Sequence, residues 1–289
     1  MIPAAFEYHA PTTLRQALAI LRRYPGEAKV LAGGHSLLPL MKLRLARPSH
    51  VVDLGRIEGL AYIREQDGGL AIGPMTSYYM LESSSLVQQR APALAEAAAV
   101  VADLQVRNKG SIGGALAHAD PAADLPAVAL ALEARVRTAG SGRPRSLPAD
   151  RFFVDIFTTA LGESEVITQI VIPPLPPRSG GAYLKFANKA SHFAIVGVAA
   201  IVTLDDQGIC RRVRIGVTGV GSRAVRARAS ERYLTGREPS ERNLQGAAQR
   251  AGAGIQFLGD LHGSAEYREH LARVFTGRAL EQAIRRARG

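Results

Sequence analysis

From Thr12 to Tyr24, Leu14, Ala17, Leu18 and Leu21 recur at helical spacing, Thr12 or Thr13 offers a cap, and Pro25-Gly26 stops the run. The pattern predicts an amphipathic helix. Next come the apolar segment Lys29-Val30-Leu31-Ala32, the turn Gly33-Gly34-His35-Ser36 and a helix-like run from Leu37 to Arg44, so strand, glycine turn and helix are expected in that order. A second apolar segment runs from His50 to Leu54, and Tyr62-Ile63-Arg64 pairs with Leu70-Ala71-Ile72 across Asp67-Gly68-Gly69 as a hairpin. The region is mixed α and β.

The alanine-rich stretch Pro92 to Ala102 reads as helix and precedes a second glycine cluster, Gly110-Ser111-Ile112-Gly113-Gly114. A further helix is expected to begin at Asp120-Pro121, aspartate as cap and proline at the first helical position. The prolines clustered between Pro173 and Pro177, followed by Gly180-Gly181, can continue neither ladder nor helix, so a domain boundary is placed there. Beyond it Tyr183–Phe186, Ile195–Leu204 and Ile209–Val217 read as three strands, the last two joined through Asp205-Asp206-Gln207-Gly208. From Ser230 onward the patterns are helical.

Composition narrows the function classes. The 289 residues are 47% hydrophobic and 21% charged, ordinary for a globular protein. No run approaches the roughly 18 apolar residues of a spanning helix, and the start lacks a charged segment leading into an apolar one. Cytoplasmic synthesis is therefore expected, with membrane contact at most peripheral. The single cysteine, Cys210, leaves no internal disulfide and no thiolate-ligated cluster built by this chain alone. The net charge of +11 is weighted to the C-terminal half, but the arginines are scattered along apparent helices and tryptophan is absent. A nucleic-acid binder needs the charge gathered on one face with aromatic platforms, so no nucleic acid is expected. A solvated face or a docking surface for an acidic subunit is the reading of the charge.

Both glycine clusters place bare backbone after an apolar segment, where amides can approach a phosphate. In the first, Ser36 can both bond an oxygen and cap the following helix. Read from the residues alone, these clusters serve equally as strand-end turns. Asp120 is explained as a helix cap; Asp124 favours a helix start and is also placed to accept hydrogen bonds from sugar or ribityl hydroxyls. His118 and Asp120 lack a third partner for a metal. Gly219-Val220-Gly221-Ser222-Arg223-Ala224 matches the G-x-G-x-x-A pattern, but no strand ending in an acidic residue follows at the required distance, so it is read as a connection. Lys185 and Lys189 are either solvated or reach across a cleft towards an anionic ligand.

The segment Ala32 to Pro39, with Lys42-Leu43-Arg44 and Val52-Asp53-Leu54, resembles the first FAD-binding motif of the medium subunits of the carbon monoxide dehydrogenase and xanthine dehydrogenase family, the molybdenum hydroxylases. Val106 to Gly114, with Asp120 to Pro126, resembles the second motif. The similarity runs through Lys185 and Ala194–Gly197 to Tyr267-Arg268 and Arg278-Ala279-Leu280. It implies an α+β fold: a two-subdomain FAD-binding region of the PCMH type over residues 1–175, divided near 55, then a C-terminal domain over 178–289 with a three-stranded antiparallel sheet and helices. It also implies that Val30, Leu31, Ala32, Gly33, Gly34, His35, Ser36 and Leu37, together with Ser111, Ile112, Gly113, Gly114 and Ala115, wrap FAD largely through backbone amides. Val101, Asp124, Ile167 and Lys185 contact the cofactor by the same matching. Ala115 stands where many relatives carry Asn or Asp, which removes a side-chain hydrogen bond. The partners implied are a 2Fe-2S small subunit and a molybdenum-cofactor large subunit in a dimer of heterotrimers. The rival readings are a free-standing FAD-binding module and a self-contained flavoprotein oxidase of the vanillyl-alcohol type.

Overall fold

The computed structural model describes residues 1–289. The first layer is a three-stranded parallel sheet, ordered β1 (Glu7–His9), β3 (His50–Asp53), β2 (Ala28–Leu31). Helix α1 (Leu14–Arg23) buries Ala17, Leu18 and Leu21, the stripe read from the sequence, and starts with a capping box between Thr13 and Gln16. Helix α2 (Leu37–Lys42) follows β2 across the first glycine turn.

The hairpin β4 (Ile63–Gln66) and β5 (Gly69–Ile72) closes over Asp67-Gly68, both at positive φ, the two-residue geometry whose twist matches the strands. Four helices follow: α3 (Tyr78–Ser83), α4 (Ser85–Arg90), α5 (Pro92–Ala99) and α6 (Leu104–Lys109); then come α7 (Ile112–His118) and α8 (Asp124–Ala131). Strands β6 (Arg135–Ala139) and β7 (Arg145–Pro148), the small pair β8 (Phe153–Asp155) and β9 (Thr158–Thr159), and β10 (Val166–Ile172) complete this region. The main sheet is antiparallel, ordered β4-β5-β10-β6-β7.

Strands β11 (Ser179–Ala187), β12 (Ala194–Leu204) and β13 (Cys210–Thr218) form the expected antiparallel sheet. A fourth strand, β14 (Val225–Arg226), pairs with β13 and corrects the three-stranded expectation; at two residues it carries no alternation to read. Helices α9 (Arg228–Leu234), α10 (Glu241–Ala248) and α11 (Ala265–Arg288) follow, and α11 packs along β11 and β12 through Leu271, Ala272, Phe275, Ala279, Leu280, Ala283 and Ile284.

The helix expected at Asp120-Pro121 begins three residues later, with Ala123 at the cap and Asp124 as its first residue. Asp120 Oδ1 accepts from the Ala122 amide at 2.8 Å, making a turn instead of a cap, and Pro126, not Pro121, occupies the first helical turn, where its missing donor is harmless. The intervening segment is pinned from the other side: Thr218 Oγ1 donates to the Pro121 and Ala123 carbonyls and the Gly219 amide donates to Pro121. All eight residues of α8 are buried. It packs on β12 and β13 from one side and on α5 and α7 from the other, so it has no polar face to show. Tyr183, Ala199 and Ile201 of the C-terminal sheet accordingly belong to the same apolar core as Leu70, Ile72, Leu125 and Ile170.

Candidate functional site

The first glycine turn leaves β2 at Leu31 and enters α2 at Leu37. Gly34 sits at φ +79°, a conformation that a Cβ strains. The amides of Gly33, Gly34, His35 and Ser36 find no acceptor anywhere in the chain. Successive unbonded amides around a left-handed glycine form a concave donor surface suited to an anion. Ser36 stands at the N-cap position of α2 but is in the αR region and makes no capping bond, so the expected cap is absent and its exposed hydroxyl is uncommitted.

The two clusters, far apart in sequence, touch. A Cβ on Gly33 would lie 1.9 Å from the Lys109 carbonyl oxygen and 2.9 Å from Gly110 Cα. Gly110 in turn lies against the Tyr78 ring. The two loops differ in how their amides are used. The Ile112 amide donates to the Thr76 carbonyl (3.0 Å), Gly113 to the Pro74 carbonyl (2.9 Å), Gly114 to Ser111 Oγ (3.2 Å) and Ala115 to the Ser111 carbonyl. The first two hold the second loop to Pro74–Thr76 and the last two close it on Ser111, and a Cβ on Gly113 would meet Pro74 backbone. Successive open donors belong to the first turn; in the second loop the Ser111 amide alone is left without an acceptor.

Beside the loops lies a buried ion pair. Lys185 Nζ donates to Asp124 Oδ2 and to the Val100 carbonyl, both at 2.9 Å, and Tyr183 Oη donates to Asp124 Oδ1 at 2.5 Å. The Lys185 and Asp124 side chains are 3% and 5% exposed. Burial pushes the Asp124 carboxyl above its ordinary range, while the Lys185 ammonium and the Tyr183 hydroxyl act the other way. Burial beside that carboxylate also raises the Tyr183 and Tyr78 hydroxyls.

Lys185 thus reaches across to the N-terminal region rather than into solvent, and its partners there are Asp124 and the Val100 carbonyl. Val101 adjoins this group, and its carbonyl accepts from Arg107. Ile167 is 4% exposed, its side chain committed to the core. Val30 packs against the small core under the parallel sheet, and Leu31 and Ala32 lead into the turn. Tyr183 was missed, although its place two residues before Lys185 on a strand puts both on one face. Tyr78 and Pro74–Ser77 carry no sequence signal, because they are defined by what folds onto them.

The decoys stay apart. His118 lies tilted against Phe157 (centroids 4.9 Å apart) and burial lowers its pKa. Gly219 uses positive φ to leave β13, and its carbonyl accepts from Arg268. Cys210 is fully buried, with its thiol pushed up to about 11 by burial.

The donor-rich turn, the loop packed against it and the polar group beside them fit an anionic dinucleotide, whose diphosphate needs donors and whose sugar chain needs polar partners. Fold and site together therefore point to a protein that holds a phosphate-bearing cofactor. Comparison with known proteins makes the class specific. Residues 4–175 match the FAD binding domain in molybdopterin dehydrogenase, and residues 181–283 match the CO dehydrogenase flavoprotein C-terminal domain. The chain is 41% identical to the carbon monoxide dehydrogenase medium chain of Hydrogenophaga pseudoflava, covering 98% of each. It is also 41% identical to the 6-hydroxypseudooxynicotine dehydrogenase complex subunit alpha of Paenarthrobacter nicotinovorans, covering 100% of this chain and 97% of that one. A solved carbon monoxide dehydrogenase structure from Hydrogenophaga pseudoflava superposes with a TM-score of 0.96 at 43% identity over 99% of both chains.

The chain belongs to the family of FAD-binding medium subunits of the molybdenum hydroxylases. It is an oxidoreductase subunit and its cofactor is FAD. The free-standing module and the vanillyl-alcohol-type oxidase find no support, since the full-length matches are with subunits of larger complexes.

Proposed function

We propose that this subunit conducts electrons from a 2Fe-2S small subunit to an external acceptor, in a cytoplasmic dimer of heterotrimers whose molybdenum-cofactor large subunit oxidises the substrate. FAD, when bound, supplies redox chemistry that accepts one or two electrons. The chain's own part is to bind and orient. The amides of Gly33 to Ser36 hold the diphosphate, the loop from Ser111 to Ala115 shapes the wall against which the turn is set, and the Asp124–Lys185 pair with Val101 and Ile167 bounds the remainder. Residues 1–175, as subdomains of about 1–55 and 56–175, form the cofactor region, and 178–289 form a separate domain carrying Lys185. Four successive free amides on a turn braced by a second glycine loop carry this reading.

The lone cysteine is buried in β13, consistent with clusters on a separate chain. Native purification is expected to recover a cluster-bearing and a molybdenum-bearing partner with visible flavin; recovery of this chain alone, without flavin, would overturn the proposal. Gly33→Ala, through the clash of its Cβ with the Lys109 carbonyl, and Gly34→Val, through strain at positive φ, are expected to weaken FAD binding roughly 5- to 150-fold, the equivalent of about 1–3 kcal/mol. Unchanged flavin content in both, in folded protein, refutes the assignment of the turn.

A further inference from the structure

Three metal-ligating side chains converge at the edge of the parallel sheet, apart from every residue assigned above. Glu7 and His9 are two apart on β1, hence on one face, and His50 opens β3 in register with Glu7. His9 Nε2 and His50 Nδ1 are 3.1 Å apart; Glu7 Oε1 is 3.7 Å from His9 Nε2, and Glu7 Oε2 is 3.5 Å from His50 Nδ1. With bonds of 2.0–2.1 Å to a tetrahedral zinc ion, neighbouring ligand atoms stand about 3.3 Å apart. The His9–His50 separation matches that edge length, and with one carboxylate oxygen taken from Glu7 all three ligand atoms lie within 4.8 Å of one another, a spread that a small turn of the exposed Glu7 side chain closes.

The surroundings favour a built site over a chance meeting. Both imidazoles are largely buried, with side chains 17% and 12% exposed, while Glu7 is 62% exposed and leaves one side open. Tyr24 stacks on His50 at 3.6 Å between centroids, and Arg23 lies over the outer face of Tyr24, so the His50 ring is held in plane. Backbone bonds fix the approach: the Glu7 amide donates to the Ser49 carbonyl and the His50 amide to the Glu27 carbonyl.

We infer that Glu7, His9 and His50 form a divalent transition-metal site, suited to Zn2+, whose fourth position is taken by water or by a ligand from a partner. Two neutral imidazoles and one carboxylate are the donor set of open zinc sites, and they disfavour Mg2+ and Ca2+, which take oxygen ligands. Without metal, one imidazole donates its proton to the other across the 3.1 Å contact. On binding, that ring carries its proton on its outer nitrogen, and both inner lone pairs face the ion.

The test uses the FAD-loaded protein, stripped with chelator and titrated with Zn2+ or with Co2+ as a spectroscopic probe. One equivalent of Co2+ with the intense visible absorption of four-coordinate geometry is expected. Glu7→Gln, at an exposed position that the fold does not need, and His9→Gln should each weaken Zn2+ binding about tenfold or more while flavin content stays unchanged. Absence of stoichiometric binding, a weak six-coordinate Co2+ spectrum, or equal affinity in wild type and Glu7→Gln overturns the inference. If His9→Gln does not fold, the wild-type spectrum and Glu7→Gln decide it.

Discussion

The Asp124–Lys185 pair shows what a single buried charge requires. Each member is tolerable because the other is 2.9 Å away and Tyr183 fills the remaining acceptor. Lys185→Met removes the ammonium and strands the carboxylate, an expected loss of about 3–5 kcal/mol at neutral pH in denaturant unfolding. The pH dependence follows from the direction of the shift. Burial raises the folded-state pKa of Asp124, and more so without Lys185, so the variant's deficit is absent below the ordinary carboxylate range and grows as pH rises through the folded value. A deficit independent of pH would place the damage elsewhere. Cys210 gives a second test. With its thiol at about 11, it should resist thiol reagents at pH 8 until the chain unfolds. Its contribution to stability is present below the ordinary thiol range and lost as pH rises to about 11.

At the scale of elements, local signals worked where a segment's burial follows its own periodicity. Helix α1 is the clear case, with its stripe, its cap and its proline-glycine stop all read in place. Thr13→Ala should cost about 1 kcal/mol in the midpoint of thermal or denaturant unfolding, because Thr13 Oγ1 satisfies the Gln16 amide. Strands β6 and β7 went unread: Arg135-Val136-Arg137 alternates over only a few residues with its arginines exposed, and no residue of β7 is buried. The start of α8 was misplaced because Asp120-Pro121 carries a good local signature, and contacts from Thr218, distant in sequence, decide its conformation. The glycine clusters were found as turns, yet which of them keeps its amides free depends on Pro74 and Thr76 taking the donors of the second.

Across the whole molecule, charge ties the C-terminal sheet to the region before it. Glu133 pairs with Arg212, Arg214 and Arg226, and Asp150 with Arg226 and Arg228. Burial, with repulsion among the guanidinium groups, holds Arg212 and Arg214 below their ordinary range. Glu133→Gln would take the carboxylate partner from Arg212 and Arg214 and leave them beside Arg226, which Glu231 and Asp150 still pair. A loss of about 1–2 kcal/mol is expected in denaturant unfolding, partly restored by high salt; a loss unaffected by salt would assign the cost to packing instead. The sequence by itself determined the family, the cofactor class and most helices and strands of the C-terminal part, because motif spacing and periodicity are properties of neighbouring residues. Tertiary structure decided which amides remain open, that Lys185 is claimed by Asp124, and that Glu7, His9 and His50 meet. Each of those depends on a competitor or partner brought from far along the chain, and no local pattern encodes what will arrive.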